Sequence, residues 1–356
     1  MTATPNYLAD IERLVRLESP SDDRTALDAV LLEANQICKE VLGSAGNISE
    51  VNGSPFLWWG VKPADVLLLI HLDTVWPKGS FEPLWQVDGD RITAPGSFDM
   101  KAGFIQAVYA LREITGSVAM LCTTDEEVGS KASRALIEES SRNAKAVLVL
   151  EASINGAVKT GRKGTADFVI EVHGRASHAG LEPEKGINAT VELAKLVLQI
   201  TSLENPTLGT TVVPTVMQAG TTTNTVPAQA KLDIDIRSFT LAELNRVDAA
   251  IRSLKSESAK VEVSGGINRP PLETSSTLEL YEKLEAVAKS LGMPPIGHAS
   301  VGGASDGNLA AAAGAKVLDG LGAVGVGAHA PSESLVISSV EPRIKLTTAF
   351  IAELLK

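Results

Sequence analysis

Val66-Leu67-Leu68-Leu69-Ile70-His71-Leu72-Asp73 is the stretch whose reading decides the fold. Its five consecutive aliphatic residues predict a strand buried on both faces, as in a parallel sheet. The run ends in a histidine, and an aspartate stands two places on. Ligands of open α/β sheets bind just beyond the carboxyl ends of the strands. An imidazole there can bind a metal, and a nearby carboxylate can fix its tautomer and orientation. The pattern recurs twice: Val118-Ala119-Met120-Leu121-Cys122 leads into Thr123-Thr124-Asp125-Glu126-Glu127, and Ala146-Val147-Leu148-Val149-Leu150 leads into Glu151. Three such strands ending at one sheet edge would gather a cluster of metal-type ligands.

Working outward, helices are expected over 7–17, 26–42 and 102–114, with a further helix through 137 after Glu126-Glu127 and Gly129. Strands alternating with helices imply an α/β fold, a mostly parallel sheet covered on both faces. Residues 77–96 are rich in Pro, Gly and Asp and read as an irregular surface loop. From about 163 the period changes. Phe168, Ile170 and Val172 alternate with Asp167, Val169 and Glu171, a half-exposed strand. A helix over 188–202, strands over 210–218 and 230–238, a helix opened by Thr240 and Glu243 as a capping box, and a strand over 260–263 follow. That β-α-β-β-α-β order predicts a small α+β domain with one open sheet face. Helices over 278–291 and 340–355, a short strand at 316–318 and two glycine-rich loops then return to the first pattern. The expected division is therefore 1–162 with 270–356, carrying an inserted domain over 163–269. A length of 356 residues agrees with two cores rather than one.

Composition narrows the function. Hydrophobic residues make up 44% and charged residues 21%, as in soluble globular proteins. A net charge of −11 argues against nucleic acid and against an anionic membrane surface. No apolar run reaches the roughly 18 residues needed to span a bilayer. Met1-Thr2-Ala3-Thr4-Pro5-Asn6 shows no basic-then-apolar leader. With two cysteines, Cys38 and Cys122, a reduced, cytoplasmic protein is expected, and Cys122 falls inside an apolar strand as a packing residue.

The chemistry-bearing candidates are His71, Asp99, Glu126, Glu127, Glu151 and His329. Imidazoles and carboxylates suit Zn²⁺ and similar ions. Two ions can share one bridging carboxylate, so five ligands plus one base is a sensible inventory for a two-metal hydrolase. Other readings stand beside this one. Asp99 precedes a helix and can be an N-cap, Glu126, Glu127 and Glu151 can serve helix dipoles, and His71 can be a core histidine.

His71-Leu72-Asp73, Gly96-Ser97-Phe98-Asp99-Met100-Lys101, Thr124-Asp125-Glu126-Glu127-Val128-Gly129, Ser177-His178-Ala179-Gly180 and Gly302-Gly303-Ala304-Ser305-Asp306 occur in order. Over nearly its whole length the chain resembles the di-zinc peptidase and amidohydrolase family of glutamate carboxypeptidase, acetylornithine deacetylase, succinyl-diaminopimelate desuccinylase and aminoacylase. The resemblance implies two Zn²⁺ per subunit, with Co²⁺ or Mn²⁺ as substitutes. Asp99 would bridge them, His71 and Glu151 completing one ligand set and Glu127 and His329 the other. Asp73 would orient His71, and Glu126 would be the general base. A cis peptide is implied after Asp99. The inserted domain would act as lid and homodimer interface, His178 reaching the partner's active site to stabilise the oxyanion. Arg237, through its two-pronged guanidinium, would bind the substrate's carboxylate, assisted by Asn224 and backbone near Gly303.

Two features depart from many relatives: Ser97-Phe98 precedes the bridging Asp, and Glu151 stands where Asp would mark the dipeptidase branch. The implied activity is cleavage of the amide to a C-terminal amino acid with a free carboxylate, glutamate first. The alternative is an N-acyl-amino-acid deacylase of the acetylornithine or aminoacylase style. A non-catalytic binder of amino-acid conjugates would lack the base or a ligand, and every position here is filled. The substrate is thus a small acyl- or peptidyl-amino acid.

Overall fold

Val66–His71 forms β3, and all six of its residues are buried, as the unbroken aliphatic run requires. The computed structural model describes residues 6–356; residues 1–5, most of the segment read for a leader, lie outside that range. In chain order come α1 (Tyr7–Val15), α2 (Arg24–Leu42), β1 (Asn47–Val51), β2 (Ser54–Gly60), β3, β4 (Gln86–Asp88), β5 (Arg91–Thr93), α3 (Ala102–Leu111), β6 (Val118–Thr123), α4 (Arg134–Arg142), β7 (Ala146–Val149) and β8 (Val158–Arg162). Then follow β9 (Gly164–His173), α5 (Ala189–Thr201), β10 (Thr211–Ala219), β11 (Gln229–Ser238), α6 (Leu241–Arg252) and β12 (Lys260–Arg269). The chain ends with α7 (Leu278–Ser290), β13 (His298–Val301), α8 (Asp306–Ala312), β14 (Val317–Leu318), β15 (Gly325–Val326), β16 (Ser334–Val336) and α9 (Val340–Leu354).

Two units divide these elements: Met1–Gly161 with Thr274–Val301 and Ser305–Lys356, and Arg162–Glu273 with Gly302–Ala304. The first unit holds a six-stranded sheet in the order β1-β2-β6-β3-β7-β14. β6, β3, β7 and β14 run parallel, and β1 and β2 form an antiparallel edge. Its core joins Leu68 and Leu148 of the sheet to Phe104 of α3 and Phe350 of α9. Burial on both faces is what makes the central strands continuous aliphatic runs rather than alternating ones. Because β6, β3 and β7 are adjacent and parallel, their carboxyl ends point the same way, which aligns Thr123, His71 and Val149 along one edge.

The second unit is a four-stranded antiparallel sheet in the order β10-β11-β9-β12. β9 alternates buried and less buried residues along its length, with Phe168 and Ile170 inward. α5 and α6 supply Leu193 and Leu244 to the same core.

Three local expectations change. The 77–96 stretch contains the β4–β5 hairpin, which pairs onward with β16. Short, mostly exposed strands carry too little apolar alternation to be seen in sequence. The helix after Glu126-Glu127 starts only at Arg134, since a single turn over Glu126–Val128 and left-handed backbone at Gly129 (φ 93°) and Ser130 (φ 51°) intervene. At Thr240 only half a capping box forms: its hydroxyl accepts from the Glu243 N–H, while the Glu243 carboxylate turns to Arg246 and Thr210. No helix among the described residues is long and apolar enough to cross a membrane.

Gly103 marks where α3 presses closest on the sheet edge. A Cβ there would stand 2.1 Å from the Leu150 carbonyl oxygen. Backbone on both sides leaves nothing flexible to give way. Gly103→Ala is expected to lower unfolding free energy by about 1–3 kcal/mol, the usual cost of overpacking a filled interior. A urea melt of the variant with an unchanged midpoint would contradict this close approach.

Candidate metal centre

The residues that end β3, β6 and β7 meet residues from two loops. His71 closes β3 with its side chain only 2% exposed. Asp99 sits on an irregular turn, Ser97–Lys101, just before α3, and its peptide bond to Met100 is cis. Glu127 lies on the tight turn after β6, and Glu151 two residues past β7. His329 lies in the glycine-rich loop between β15 and β16 with a left-handed φ of 62°, a conformation uncommon outside glycine.

Two groups of three ligand atoms result: His71, Asp99 and Glu151, and Asp99, Glu127 and His329. His71 Nε2 stands 3.4 Å from Asp99 Oδ1 and 3.6 Å from Glu151 Oε1. His329 Nε2 stands 3.5 Å from Asp99 Oδ2 and 3.2 Å from Glu127 Oε2. Asp99 therefore turns one oxygen to each imidazole. Donors about 2.0–2.1 Å from one tetrahedral ion lie about 3.3–3.4 Å from each other. The four spacings match that figure better than they match ordinary hydrogen bonds of about 2.7–3.2 Å. The donor set of two imidazoles and three carboxylates likewise suits a pair of divalent ions.

Asp73 organises the neighbourhood from below. It is fully buried, and its Oδ1 lies 3.4 Å from His71 Nδ1. Its carboxylate accepts from Ser21 Oγ (2.7 Å) and from the backbone N–H groups of Glu126 (3.3 Å) and Glu127 (3.0 Å). One carboxylate thus ties the histidine to the turn that presents both glutamates. The His71 Nδ1 also lies 3.1 Å from the Asp73 backbone oxygen. Glu126 is buried and borders the same small cleft as His71, Met100, Glu151 and Asp306. Asp125 holds the turn's exit by accepting from the N–H groups of Ala132 and Ser133.

The competing readings can now be judged. No side chain caps the N-terminus of α3, so Asp99 is not its N-cap. Glu126 and Glu127 sit on a three-residue turn eight and seven positions before α4, too far for its dipole.

Glu333 was invisible to the sequence reading. It is 1% exposed, and its carboxylate accepts from the backbone N–H groups of Gly96 (2.9 Å), Phe98 (3.0 Å) and Asp99 (3.0 Å) and from Trp76 Nε1 (2.9 Å). The turn carrying Asp99 is thus wrapped around an acid four residues past His329. The only signal was an acid in a short Pro-Ser segment, which ordinarily means a solvated loop.

Charge crowding shifts the protonation of these groups. Contact with Glu127 foremost, then Asp99, pushes the His329 imidazole up to about 9 despite partial burial. Burial opposes a charge on His71, yet Asp73, Asp99 and Glu151 raise it well above its ordinary value. Burial raises Glu127 and Glu333. Asp73 stays below the usual range although burial opposes it, because His71, Ser21 and the Glu127 N–H stabilise the anion.

The remaining candidates belong to the second unit. His178 is exposed, and its Nδ1 accepts from the N–H groups of Gly180 (3.1 Å) and Leu181 (3.2 Å), which assigns the proton of the neutral ring to Nε2. Asn224 accepts from the Ala179 N–H through its backbone oxygen. The Gly303 oxygen accepts from Arg162 (3.2 Å). Arg237 pairs its Nε and Nη2 with Asp235 (3.0 and 3.1 Å). That edge of the guanidinium is engaged within the chain, so a two-pronged grip on a carboxylate along it would require Asp235 to be displaced.

Comparison with known proteins gives the following. A family model described as peptidase family M20/M25/M40 matches residues 67–353. Carboxypeptidase G2 of a Pseudomonas species is 32% identical, over 82% of this chain and 74% of that protein. A succinyl-diaminopimelate desuccinylase of a Nitratiruptor species is 28% identical, over 76% of this chain and 79% of its own. Among solved structures, aminopeptidase PepT from Bacillus cereus superposes with a TM-score of 0.80 at 20% identity, covering 98% of both chains. An M20 family metallo-carboxypeptidase from Sulfolobus solfataricus does so with a TM-score of 0.73 at 18% identity, over 98% of this chain and 99% of that one. At these identities the two structures speak for the fold.

Two outcomes are expected. In the metal-free chain His329 carries its proton up to about pH 9. Its folded value exceeds the unfolded one, so its contribution to stability is complete below about pH 6.5 and gone above about pH 9. Zn²⁺ requires neutral imidazoles, so uptake near pH 7 should release protons and tighten as pH rises toward 9. Calorimetric titration in two buffers of different ionisation enthalpy measures this; equal heats would contradict it. Glu333→Gln replaces one acceptor oxygen with an amide nitrogen that aims its own N–H groups at two of the donors around the Asp99 turn. Zn²⁺ affinity should fall by roughly 10–100-fold, as for outer partners of metal ligands generally. Competition against a chelator, with folding checked by circular dichroism, gives the value.

Proposed function

As a member of peptidase family M20/M25/M40 the chain is a hydrolytic enzyme, and we propose that it cleaves the amide bond to a C-terminal amino acid bearing a free carboxylate. The proposal takes glutamate as the leaving residue. Its cofactors are two Zn²⁺ ions, with Co²⁺ or Mn²⁺ as substitutes, held by His71, Asp99 and Glu151 on one side and Asp99, Glu127 and His329 on the other. The observation that carries it is the Asp99 carboxylate, each of whose oxygens faces a different imidazole at 3.4 and 3.5 Å.

When bound, the ions polarise the scissile carbonyl and make the attacking water more acidic. Glu126 takes a proton from that water and returns it to the departing nitrogen, so one buried carboxylate serves as base and then as acid. Asp73 keeps the His71 ring oriented with its Nε2 toward the centre. His178, with Nδ1 committed to two backbone donors, offers its Nε2–H to the developing oxyanion of the partner subunit's active site. Arg237, steadied by Asp235, takes the substrate's carboxylate through its remaining edge, with Asn224 and the backbone near Gly303 assisting. This reading includes a homodimer through residues 163–269 and a cytoplasmic enzyme; sedimentation as monomer alone at micromolar concentration would remove the role of His178.

The 28% identity to a succinyl-diaminopimelate desuccinylase favours a second reading, removal of an acyl group from an N-acyl-amino acid. The bond broken is the same; the side chain of the leaving amino acid and the acyl size differ.

Glu126→Gln is expected to retain metal while losing turnover by roughly 10²–10⁴-fold. Unchanged turnover would reject the base assignment. A panel of acyl-glutamate, acyl-ornithine, succinyl-diaminopimelate and acyl-leucine substrates, compared by kcat/KM, separates the two readings. Preference for anything but acyl-glutamate would overturn the first.

A further inference from the structure

A second cavity in the first unit measures about 300 Å³ and is lined by none of the residues of the metal centre. That size is at the small end for an organic ligand. Met293, Pro295, Ile296, Val324 and Leu346 supply apolar walls, and Arg343 of α9 lines it too. The arginine is the anomaly. It is 5% exposed and hydrogen-bonds the Gly156 carbonyl through Nη2, while its Nη1 is buried with no partner. Among the described residues no acid forms an ion pair with it, and burial alone lowers its pKa, to about 10. Fully buried arginines are rare unless paired, because desolvating an uncompensated cation is costly.

One further observation bears on the same place. The first turn of α9, a helix of 15 residues, borders the cavity at Ser339 and Pro342, so the positive end of its dipole is there. A cation is therefore disfavoured on every side.

We propose that this cavity is a binding site for a small monocarboxylate with an apolar body, its carboxylate taken by Arg343. The spare guanidinium arm offers a carboxylate a charged donor. A phosphate would bring more charge and more oxygens than one spare guanidinium arm can meet among Met293 and the prolines. An α-amino acid would bring an ammonium that needs acceptors, and no carboxylate lines the cavity. The occupant would also touch a segment continuous with the centre. Gly156 follows Glu151 by five residues, and Ser153 bonds the backbone oxygen of Ala323, the neighbour of Val324.

The test uses the whole metal-loaded enzyme and 4-bromobenzoate. Crystals soaked in it are expected to give a bromine anomalous peak between Met293 and Leu346. Calorimetry at millimolar ligand is expected to show a site that Arg343→Gln weakens on the order of 10–100-fold, as for loss of a charged hydrogen bond. Met293→Trp fills the cavity and leaves Arg343 in place, so it should abolish the site even where Arg343→Gln fails to fold. Met293→Trp should leave hydrolysis at the metal centre unchanged. A bromine peak only at the metal centre, an ordered water alone on Arg343, binding at crystal concentration only, or affinity indifferent to Met293→Trp would each overturn the proposal.

Discussion

Like charge in a small volume is the constraint that governs this molecule. Asp73, Asp99, Glu126, Glu127, Glu151 and Glu333 crowd one end of the parallel strands, with His71, His329 and Lys159, whose Nζ lies 3.5 Å from Glu151 Oε2, as cations beside them. Unscreened carboxylates at such spacing repel strongly when removed from water. In the metal-free chain the acidic neighbours raise both imidazoles, and burial raises Glu127 and Glu333. Divalent cations held by these residues would relieve the repulsion more completely, because each would bring two positive charges to the carboxylates.

The scaffold answers that constraint by division of labour. Parallel strands β6, β3 and β7 bring three side chains to one edge through backbone hydrogen bonds. Two buried acids then brace the irregular segments. Asp73 fastens the Glu126–Glu127 turn to the histidine strand, and Glu333 fastens the Asp99 turn to the His329 loop. Each acid accepts at least two backbone N–H groups, the arrangement that makes a buried carboxylate tolerable.

Much of this was legible before any coordinates. Aliphatic runs ending in His71, Glu126-Glu127 and Glu151 announced buried strands and their functional edge, because burial on both faces leaves an unmistakable pattern. Asp99 is ambiguous in sequence, since an acid before a helix is usually a cap; the uncapped start of α3 and the spacing to both imidazoles speak against that role. Glu333 and Arg343 left no trace. Both are charged residues buried by long-range packing, against 94–99 and against 155–156 respectively, and local sequence carries no record of a partner more than 150 positions away. The β4–β5 hairpin escaped for a different reason: its strands are three residues each and mostly exposed, so periodicity had nothing to act on.

His71 and His329 differ sharply in their access to water, at 2% and 55% side-chain exposure. A deeply enclosed imidazole can neither swing away nor admit a competing chelator without opening the strand ends around it. One on a glycine-flanked loop needs only a rotation of its backbone. Two ions bound as proposed would therefore face unequal doors, the one at His71 enclosed and the one at His329 open to exchange.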